Sequence, residues 1–142
     1  MKKTVGSSII TGFLLRKECN DQLRGRLLKT GEAMVTKGYN LPARHVIHTV
    51  GPIIETGMPT KEQEEQLAQC YRSCLDLAEK TDLESIAFCC ISTGVFHFPN
   101  ERAAEIAVET VKRYPRQSVK TVVFNVFLDK DYNIYSRLIV HG

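Results

Sequence analysis

Hydrophobic positions along the chain recur with two spacings, and their alternation predicts an α/β protein. The segment "GFLLRKECNDQLRGRLLKTG" repeats apolar residues at steps of four and indicates an amphipathic helix that ends at Gly31. In "PTKEQEEQLAQCYRSCLDLAEKTD", Thr60 stands three residues before Gln63, which is the capping-box spacing, ahead of a second apolar stripe. The inward positions of the two helices are Leu15, Cys19, Leu23 and Leu27, and then Leu67, Cys70, Tyr71, Cys74, Leu75 and Ala78.

Two further helices are predicted in the last third of the chain. Asn100 is a candidate N-cap for the first of them, which should end before Pro115. The second is the closing segment "DKDYNIYSRLI". The predicted inward residues are Ala103, Ile106, Ala107 and Val111 in the first helix, and Ile134, Tyr135, Leu138 and Ile139 in the second.

Four strands complete the predicted order αββαβαβα. Residues 33–36 and 45–50 read as strands joined by a loop with Gly38, Asn40 and Pro42, and we expect them to pair antiparallel. The runs "ESIAFCCI" and "KTVVFNVF" are continuously apolar, which is typical of strands buried on both faces. Strands that alternate with helices in this way predict a three-layer α/β/α sandwich.

Length and charge are those of one ordinary domain. The 142 residues, 43% hydrophobic and 25% charged, indicate a single domain over residues 1–142. The net charge of +3 is not gathered into a basic tract, so nothing indicates a nucleic-acid partner. The apolar stretch after the N-terminal lysines is too short for a signal peptide or a membrane span. We therefore expect a cytoplasmic protein without a membrane partner.

The five cysteines are interpreted as free, mostly structural thiols. Their number is odd and no secretion signal accompanies them. Cys70 and Cys74 are one helical turn apart, and the adjacent Cys89 and Cys90 should point to opposite faces of a strand. Neither pair has the spacing of a zinc knuckle, and no activating partner marks a thiol enzyme. Small buried hydrophobes are the favoured interpretation.

A candidate site lies in "FCCISTGVFHFPN", where small and hydroxyl residues separate a buried strand from a helix. Loops in this position of an α/β sheet often offer backbone N–H groups to an anion. Ser92, Thr93, Gly94, Val95 and Phe96 form its centre, in which Gly94 would allow close backbone approach and a positive φ. The alternative is a tight turn with a small residue for packing.

Three other positions have both a functional and a structural interpretation. His97 could approach a phosphate or donate a proton, but a partly exposed histidine between two packed phenylalanines is the favoured alternative. Asn125 and Phe127, at the end of the last strand, are ligand contacts or else core or edge residues. The pair His45 and His48 falls on opposite strand faces and is not interpreted as a metal site.

Several segments, in order, resemble the macrodomain family of ADP-ribose-binding and ADP-ribosyl-hydrolysing modules. They are "TGEAMVTKGYNLPARHVIHTVGP", "LAQCYRSCLDLAE", "SIAFCCISTGVFHFPNERAAEIAVETV" and "VVFNVFLDKDYNIYSRLI", which together span roughly Thr30 to Ile139. In detail the chain looks closest to the bacterial zinc-containing ADP-ribosyl hydrolase branch, mainly through "CCISTGVFHFPN".

The resemblance implies a macrodomain-type sandwich with a reduced mixed sheet and a ligand. In the family, the loop that matches residues 92–96 surrounds the diphosphate and the distal ribose of ADP-ribose with backbone N–H groups. The side chain of Phe96 can pack against the sugar. Asn125 and Phe127 would lie near the adenosine. The implied partner is ADP-ribose or an ADP-ribosylated protein. No cofactor and no metal are expected, because the zinc ligands of the branch have no counterpart here.

The chain also departs from the family pattern at its beginning. Only 29 residues precede Thr30, and they lack the aspartate that reads adenine, the asparagine of the distal ribose and the acidic group of many hydrolytic members. The expectation is an N-terminally shortened macrodomain in which "TVGSSIIT" replaces a central strand, with homo-oligomerisation as another remedy.

Three functions remain open at this level. The first is recognition of ADP-ribose or a related nucleotide diphosphate, with weak or no hydrolysis. The second is an ADP-ribosyl hydrolase, for which no catalytic residue can be named. The third is a structural remnant or truncated product that binds nothing.

Overall fold

The computed structural model describes residues 12–39 and 41–141, in which the chain forms four helices and four strands. Their order αββαβαβα is as predicted from the sequence. The segment "TVGSSIIT" and the loop residue Asn40 lie outside the described residues. The elements are α1 (Gly12–Leu23), β1 (Ala33–Lys37), β2 (His45–Thr49), α2 (Lys61–Lys80), β3 (Ser85–Phe88), α3 (Asn100–Arg113), β4 (Thr121–Phe124) and α4 (Asp129–His141).

The first helix is shorter than its apolar pattern predicts. It ends at Leu23, because Arg24 and Gly25 take left-handed φ values of 50° and 82°. Leu27, predicted to face inward, is 85% exposed. The prediction that this helix continues to Gly31 is therefore wrong.

Helix α2 confirms its predicted cap and its predicted buried stripe. The Gln63 backbone N–H donates to the Thr60 hydroxyl at 3.1 Å, and the Thr60 N–H donates to Gln63 Oε1 at 2.9 Å. Two N–H groups that the first turn would leave without acceptors are satisfied in this way. The six inward positions predicted from the sequence are all buried.

The strands form two pairs. β1 and β2 pair antiparallel from Ala33 opposite Thr49 to Lys37 opposite His45, which confirms the predicted hairpin. β3 and β4 pair parallel, with Phe88 opposite Phe124. Both strands of this pair are four residues long, so residues 89–91 and 125–127 lie beyond the strand ends and not within strands as predicted.

Strand β4 is only half buried, contrary to prediction. Its residues alternate between exposed and intermediate, and Val123 is 48% exposed. Within residues 12–39 and 41–141, β4 pairs with β3 alone, and no described element covers the face on which Val123 lies. The prediction that the apolar run "KTVVFNVF" forms a strand buried on both faces is therefore wrong for β4.

A line of four aromatic rings joins the layers of the core. Tyr71 of α2 contacts Phe88 of β3 with ring centroids 4.9 Å apart, and Phe88 lies 6.2 Å from Phe124 of β4. Phe124 in turn contacts Tyr135 of α4 at 5.0 Å. Since α2 also packs against β1 and β2, one helix covers both strand pairs.

Helix α3 ends before Pro115 as predicted, but its predicted cap is wrong. Pro99 occupies the N-cap position and no side chain caps the helix, because Asn100 is already the first helical residue. The amide of Asn100 instead donates to Asp131 Oδ1 of α4 at 2.7 Å. The four predicted inward residues of α3 are buried.

The cysteines of the described residues form no disulfide with one another. Cys70 and Cys74 are fully buried, and Cys19, Cys89 and Cys90 are half-buried. Burial raises the pKa of the Cys70 and Cys74 thiols, and it raises the pKa of Cys90 to about 11 with help from Asp131. Since only a thiolate is a good nucleophile, these values favour the structural interpretation.

Replacing Cys70 with alanine should lower stability without changing ligand affinity. The Cys70 thiol is fully buried and donates to the Val50 carbonyl at 3.2 Å. Its removal leaves a small void and one hydrogen bond fewer at the Val50 carbonyl, which still accepts from the Gly31 N–H, for a loss of about 1–2 kcal/mol in the free energy of unfolding. Urea unfolding and calorimetric titration check the two parts. A large loss of affinity in a folded Cys70→Ala protein would contradict the core role.

Candidate functional site

The loop between β3 and α3 and the segment after β4 meet at one edge of the molecule. β3 and β4 run parallel, so their carboxyl ends lie side by side. The Asn125 N–H donates to the Phe88 carbonyl at 2.7 Å and joins the two ends directly. The structure therefore brings the two sets of candidate residues, 92–97 and 125–127, to the same side of the sheet.

Two residues of the loop have left-handed backbones, and neither is glycine. Ser92 has φ 65° and His97 has φ 61°. The chain between them turns back on itself, since the Phe98 N–H donates to the Ser92 carbonyl at 2.9 Å and the His97 N–H to the Gly94 carbonyl at 3.1 Å. Left-handed backbone costs about 1–2 kcal/mol per non-glycine residue and clusters at functional sites.

Five consecutive backbone N–H groups of this loop have no acceptor within residues 12–39 and 41–141. The N–H groups of residues 92–96 donate no hydrogen bond to any atom among the described residues. Successive N–H groups in a turn with left-handed residues form a concave cradle of positive partial charge. The arrangement can therefore bind an anion such as a diphosphate without a charged side chain.

The loop is open at its tip and anchored at its base. Gly94 and His97 are exposed, and Val95 is 83% exposed. A Cβ added at Gly94 would meet no atom within 4 Å. Phe98 is only 1% exposed and anchors the loop to the core. The favoured structural interpretation of His97 placed it between two packed phenylalanines, but Phe96 is only half-buried.

The predicted positive φ of Gly94 is wrong. The left-handed positions of the loop are Ser92 and His97, and Gly94 has an ordinary backbone. What glycine provides at position 94 is free space beside the N–H groups. Sequence alone did not show this, because a glycine that follows hydroxyl residues normally marks the left-handed residue of a turn.

Gly51, which sequence analysis did not select, supports the loop from the segment after β2. An added Cβ at Gly51 would lie 1.9 Å from Ser92 Oγ and 2.8 Å from Ile91 Cγ2. Ser92 Oγ is itself buried with no hydrogen-bond partner among the described residues. Nearby, the Ile54 N–H donates to the Phe96 carbonyl at 2.8 Å. The segment after β2 therefore forms the floor beneath the loop.

The substitution Gly51→Ala should distort this loop and weaken ligand binding. Neither Ser92 nor Ile91 can stay in place when a methyl group occupies position 51. We expect a loss of about 1–3 kcal/mol in stability from overpacking, and at least about a tenfold loss of affinity for a ligand of the loop. Thermal unfolding and calorimetry measure both. Gly57→Ala is the control for affinity: no atom lies within 4 Å of its added Cβ, and its φ of 77° strains only its own backbone, which lowers stability. Equal affinity losses in both proteins would contradict the role of Gly51.

Asn125 and Phe127 are exposed at the end of β4. Phe127 is 97% exposed, so it is not a core residue, and Asn125 is exposed as well. An aromatic ring in this position has the chemistry to stack on a base. The core alternative therefore does not describe Phe127, whereas the edge alternative and the ligand contact both stay open.

The histidines of β2 have the separate environments that their spacing predicts. His48 is buried, and its Nε2 lies 3.0 Å from Thr36 Oγ1 and 3.9 Å from Cys19 Sγ. His45 is half-buried, and its Nδ1 has no partner in the described part of the chain. No group of three or more His, Cys, Asp or Glu side chains within residues 12–39 and 41–141 could hold a metal ion. The described residues therefore do not fit a zinc site.

Comparison with known proteins identifies the class to which this fold and loop belong. A Macro domain family model matches residues 5–107. The chain therefore belongs to the macro domain family, as the sequence resemblance implied. Its assignment to the zinc-containing branch stays a prediction.

Two curated relatives are similar over nearly all of this chain. The protein-ADP-ribose hydrolase of Staphylococcus aureus (strain MRSA252) is 52% identical over 128 residues, which are 87% of this chain and 48% of that protein. The ADP-ribose glycohydrolase MACROD1 of Rattus norvegicus is 47% identical over 133 residues, which are 92% of this chain and 50% of that protein. The chain thus spans about half the length of these relatives.

Solved structures confirm the predicted fold class. A macrodomain of Oceanobacillus iheyensis with ADP superposes with a TM-score of 0.82 at 41% identity, over 92% of this chain and 70% of that chain. A Trypanosoma brucei macrodomain in complex with ADP gives a TM-score of 0.77 at 40% identity, over 93% of this chain and 54% of that chain. The protein is an α/β/α sandwich of macrodomain type with small sheets.

Proposed function

We propose that this protein recognises ADP-ribose, with the diphosphate bound against the backbone of the loop at residues 92–96. The observation that carries the proposal is the run of five N–H groups at the carboxyl end of β3 that have no acceptor in the described part of the chain. Neutral donors that are already oriented bind a diphosphate at little entropic cost, because no long side chain has to be ordered.

The other candidate residues take roles around this cradle. Ser92 and Thr93 add hydroxyl donors, Val95 and Phe96 line the distal ribose, and His97 approaches a phosphate. Asn125 and the exposed ring of Phe127 contact the adenosine, which suits their place at the neighbouring strand end. The support from relatives is that two macrodomains with closely similar folds were solved with ADP.

A second function, removal of ADP-ribose from modified proteins, is favoured by the names of the relatives. The Staphylococcus aureus protein at 52% identity is a protein-ADP-ribose hydrolase. Such a reaction needs a positioned water and a group that stabilises the developing charge, and no described side chain is assigned to either task. Turnover of an ADP-ribosylated protein separates hydrolysis from binding alone.

Isothermal titration of the full chain with ADP-ribose tests the main proposal. AMP and ribose 5-phosphate are the fragment controls, and sedimentation measures the oligomeric state in the same samples. We expect saturable binding of ADP-ribose that is tighter than that of either fragment. A folded protein that binds none of the three would instead be the structural remnant considered from the sequence.

The proposal also includes the location of the protein in the cell and its partners. No helix in residues 12–39 or 41–141 is long and apolar enough to cross a membrane. We propose a single-domain cytoplasmic protein whose partner is ADP-ribose or an ADP-ribosylated protein. Association of two copies is part of this proposal, because each described strand has only one partner.

A further inference from the structure

A buried carboxylate joins the two helices that follow the two halves of the candidate site. Asp131, in the first turn of α4, is only 5% exposed and accepts a hydrogen bond of 2.7 Å from the Asn100 amide, at the start of α3. A buried carboxylate is costly unless it is hydrogen-bonded, and a bond to an ionised acceptor is stronger than a neutral one. This contact is therefore a strong link between α3 and α4.

The Asn100–Asp131 hydrogen bond lies close in sequence to both parts of the candidate site, residues 92–97 and residues 125–127. Asn100 follows the loop at residues 92–97 directly, separated from it only by Phe98 and the conformationally rigid Pro99. Asp131 stands four residues after Phe127. The Tyr132 N–H donates to the Leu128 carbonyl at 3.0 Å, so this stretch is already helical in its hydrogen bonding. A shift of one helix start against the other would change the separation between residues 92–97 and residues 125–127.

We propose that Asn100 and Asp131 are positioning residues. They set the spacing between the loop at residues 92–97, which would bind the diphosphate, and residues 125–127, which would contact the adenosine. The inference rests on the proposed function. A fixed spacing would favour a ligand that contacts both residues 92–97 and residues 125–127, as ADP-ribose does. It would matter less for fragments that contact chiefly one of the two. Neither residue needs to touch the ligand.

The same two helices offer a matched control. Glu101 and Arg137 form an ion pair one residue further along α3 and six residues further along α4, and both side chains are more than half exposed. Exposed ion pairs contribute little to stability, and this one lies about 9 Å along α4 from the buried link. Glu101 lies in the first turn of α3 beside Asn100, so loss of the Glu101–Arg137 pair changes the charge between α3 and α4 at nearly the same place on α3 but leaves the Asn100–Asp131 hydrogen bond intact.

The test compares Asn100→Ala and Asp131→Ala with Glu101→Gln, in the full chain. We expect about tenfold weaker ADP-ribose binding in each of the first two proteins, and no further loss when they are combined. Affinities for AMP and ribose 5-phosphate should change less than about twofold, and Glu101→Gln should bind like the unchanged protein. A parallel loss for ADP-ribose and both fragments would overturn the spacing role, as would unchanged affinity.

A measurement on the unliganded protein keeps the inference testable when Asp131→Ala fails to fold or when ADP-ribose does not bind. Asn100 is half-buried, so Asn100→Ala is the milder variant. Hydrogen exchange of the amides in residues 92–98 and 125–128 should speed up together in Asn100→Ala and stay unchanged in Glu101→Gln. Unchanged exchange in Asn100→Ala overturns the positioning role, whereas absent binding with faster exchange overturns only the proposed ligand.

Discussion

The substitution Gly94→Glu should abolish ADP-ribose binding and leave the protein folded. Position 94 is exposed, has an ordinary backbone, and offers open space to an added Cβ, so a larger side chain can begin there without a clash. Its carboxylate would compete for the N–H groups of residues 92–96 and repel the diphosphate. We expect a loss of at least about 100-fold in affinity, because like charge opposes binding at the contact itself.

Two control proteins separate the causes of this effect. Gly94→Ala adds bulk without charge and should retain much of the affinity. Thr121→Glu adds the same charge at the amino end of β4, on the far side of the strand pair from the loop. Calorimetry with ADP-ribose measures all three proteins, and circular dichroism checks the fold. Wild-type affinity in Gly94→Glu would remove the loop from the binding site.

The largest expected loss of stability is that of Phe88→Ala. Phe88 is 1% exposed and contacts Tyr71 of α2 and Phe124 of β4, so its ring joins a helix to both parallel strands. Truncation removes the two ring contacts and leaves a cavity in a region that cannot close around it. The free energy of unfolding should fall by about 3–5 kcal/mol.

Urea unfolding measures this loss, with Val123→Ala as the control. Val123 lies on the neighbouring strand but is 48% exposed, so its truncation should cost less than about 1 kcal/mol. Comparable losses in the two proteins would show that the aromatic line is not the centre of the core. The slope of the free energy of unfolding against urea concentration should be the same in both variants, which ensures that the same two states are compared.

Local patterns predicted most of the fold because they reflect local physics. The Thr60 capping box and the apolar stripe of α2 are set by residues three or four positions apart, and both are present. The burial of β4 depends on what lies across the sheet, which no local pattern encodes, and the prediction failed there. The prediction for the first helix ran too far because the spacing of leucines outweighed the turn signal of Arg24 and Gly25, whose left-handed backbone ends the helix at Leu23.

The sequence proposed residues 92–97 as a candidate site, which stays a prediction, but it did not show the backbone geometry or the supporting contacts of this loop. The order of small residues after a buried strand, and then the family resemblance, led to residues 92–97. The left-handed turns at Ser92 and His97 could not be read, since neither residue type requires them. Gly51 and the Asn100–Asp131 link escaped notice because each acts on residues distant in sequence.

The hydrogen bond from the Ile54 N–H to the Phe96 carbonyl ties the site to the folding of the whole chain. Its two partners lie on opposite sides of α2 and β3 in sequence, so it can form only after those elements have assembled. A ligand held by the loop is thus linked to global unfolding and not to local opening. Saturating ADP-ribose should slow exchange even of the most protected amides in α2, far from the ligand itself, by the factor that binding adds to the native population.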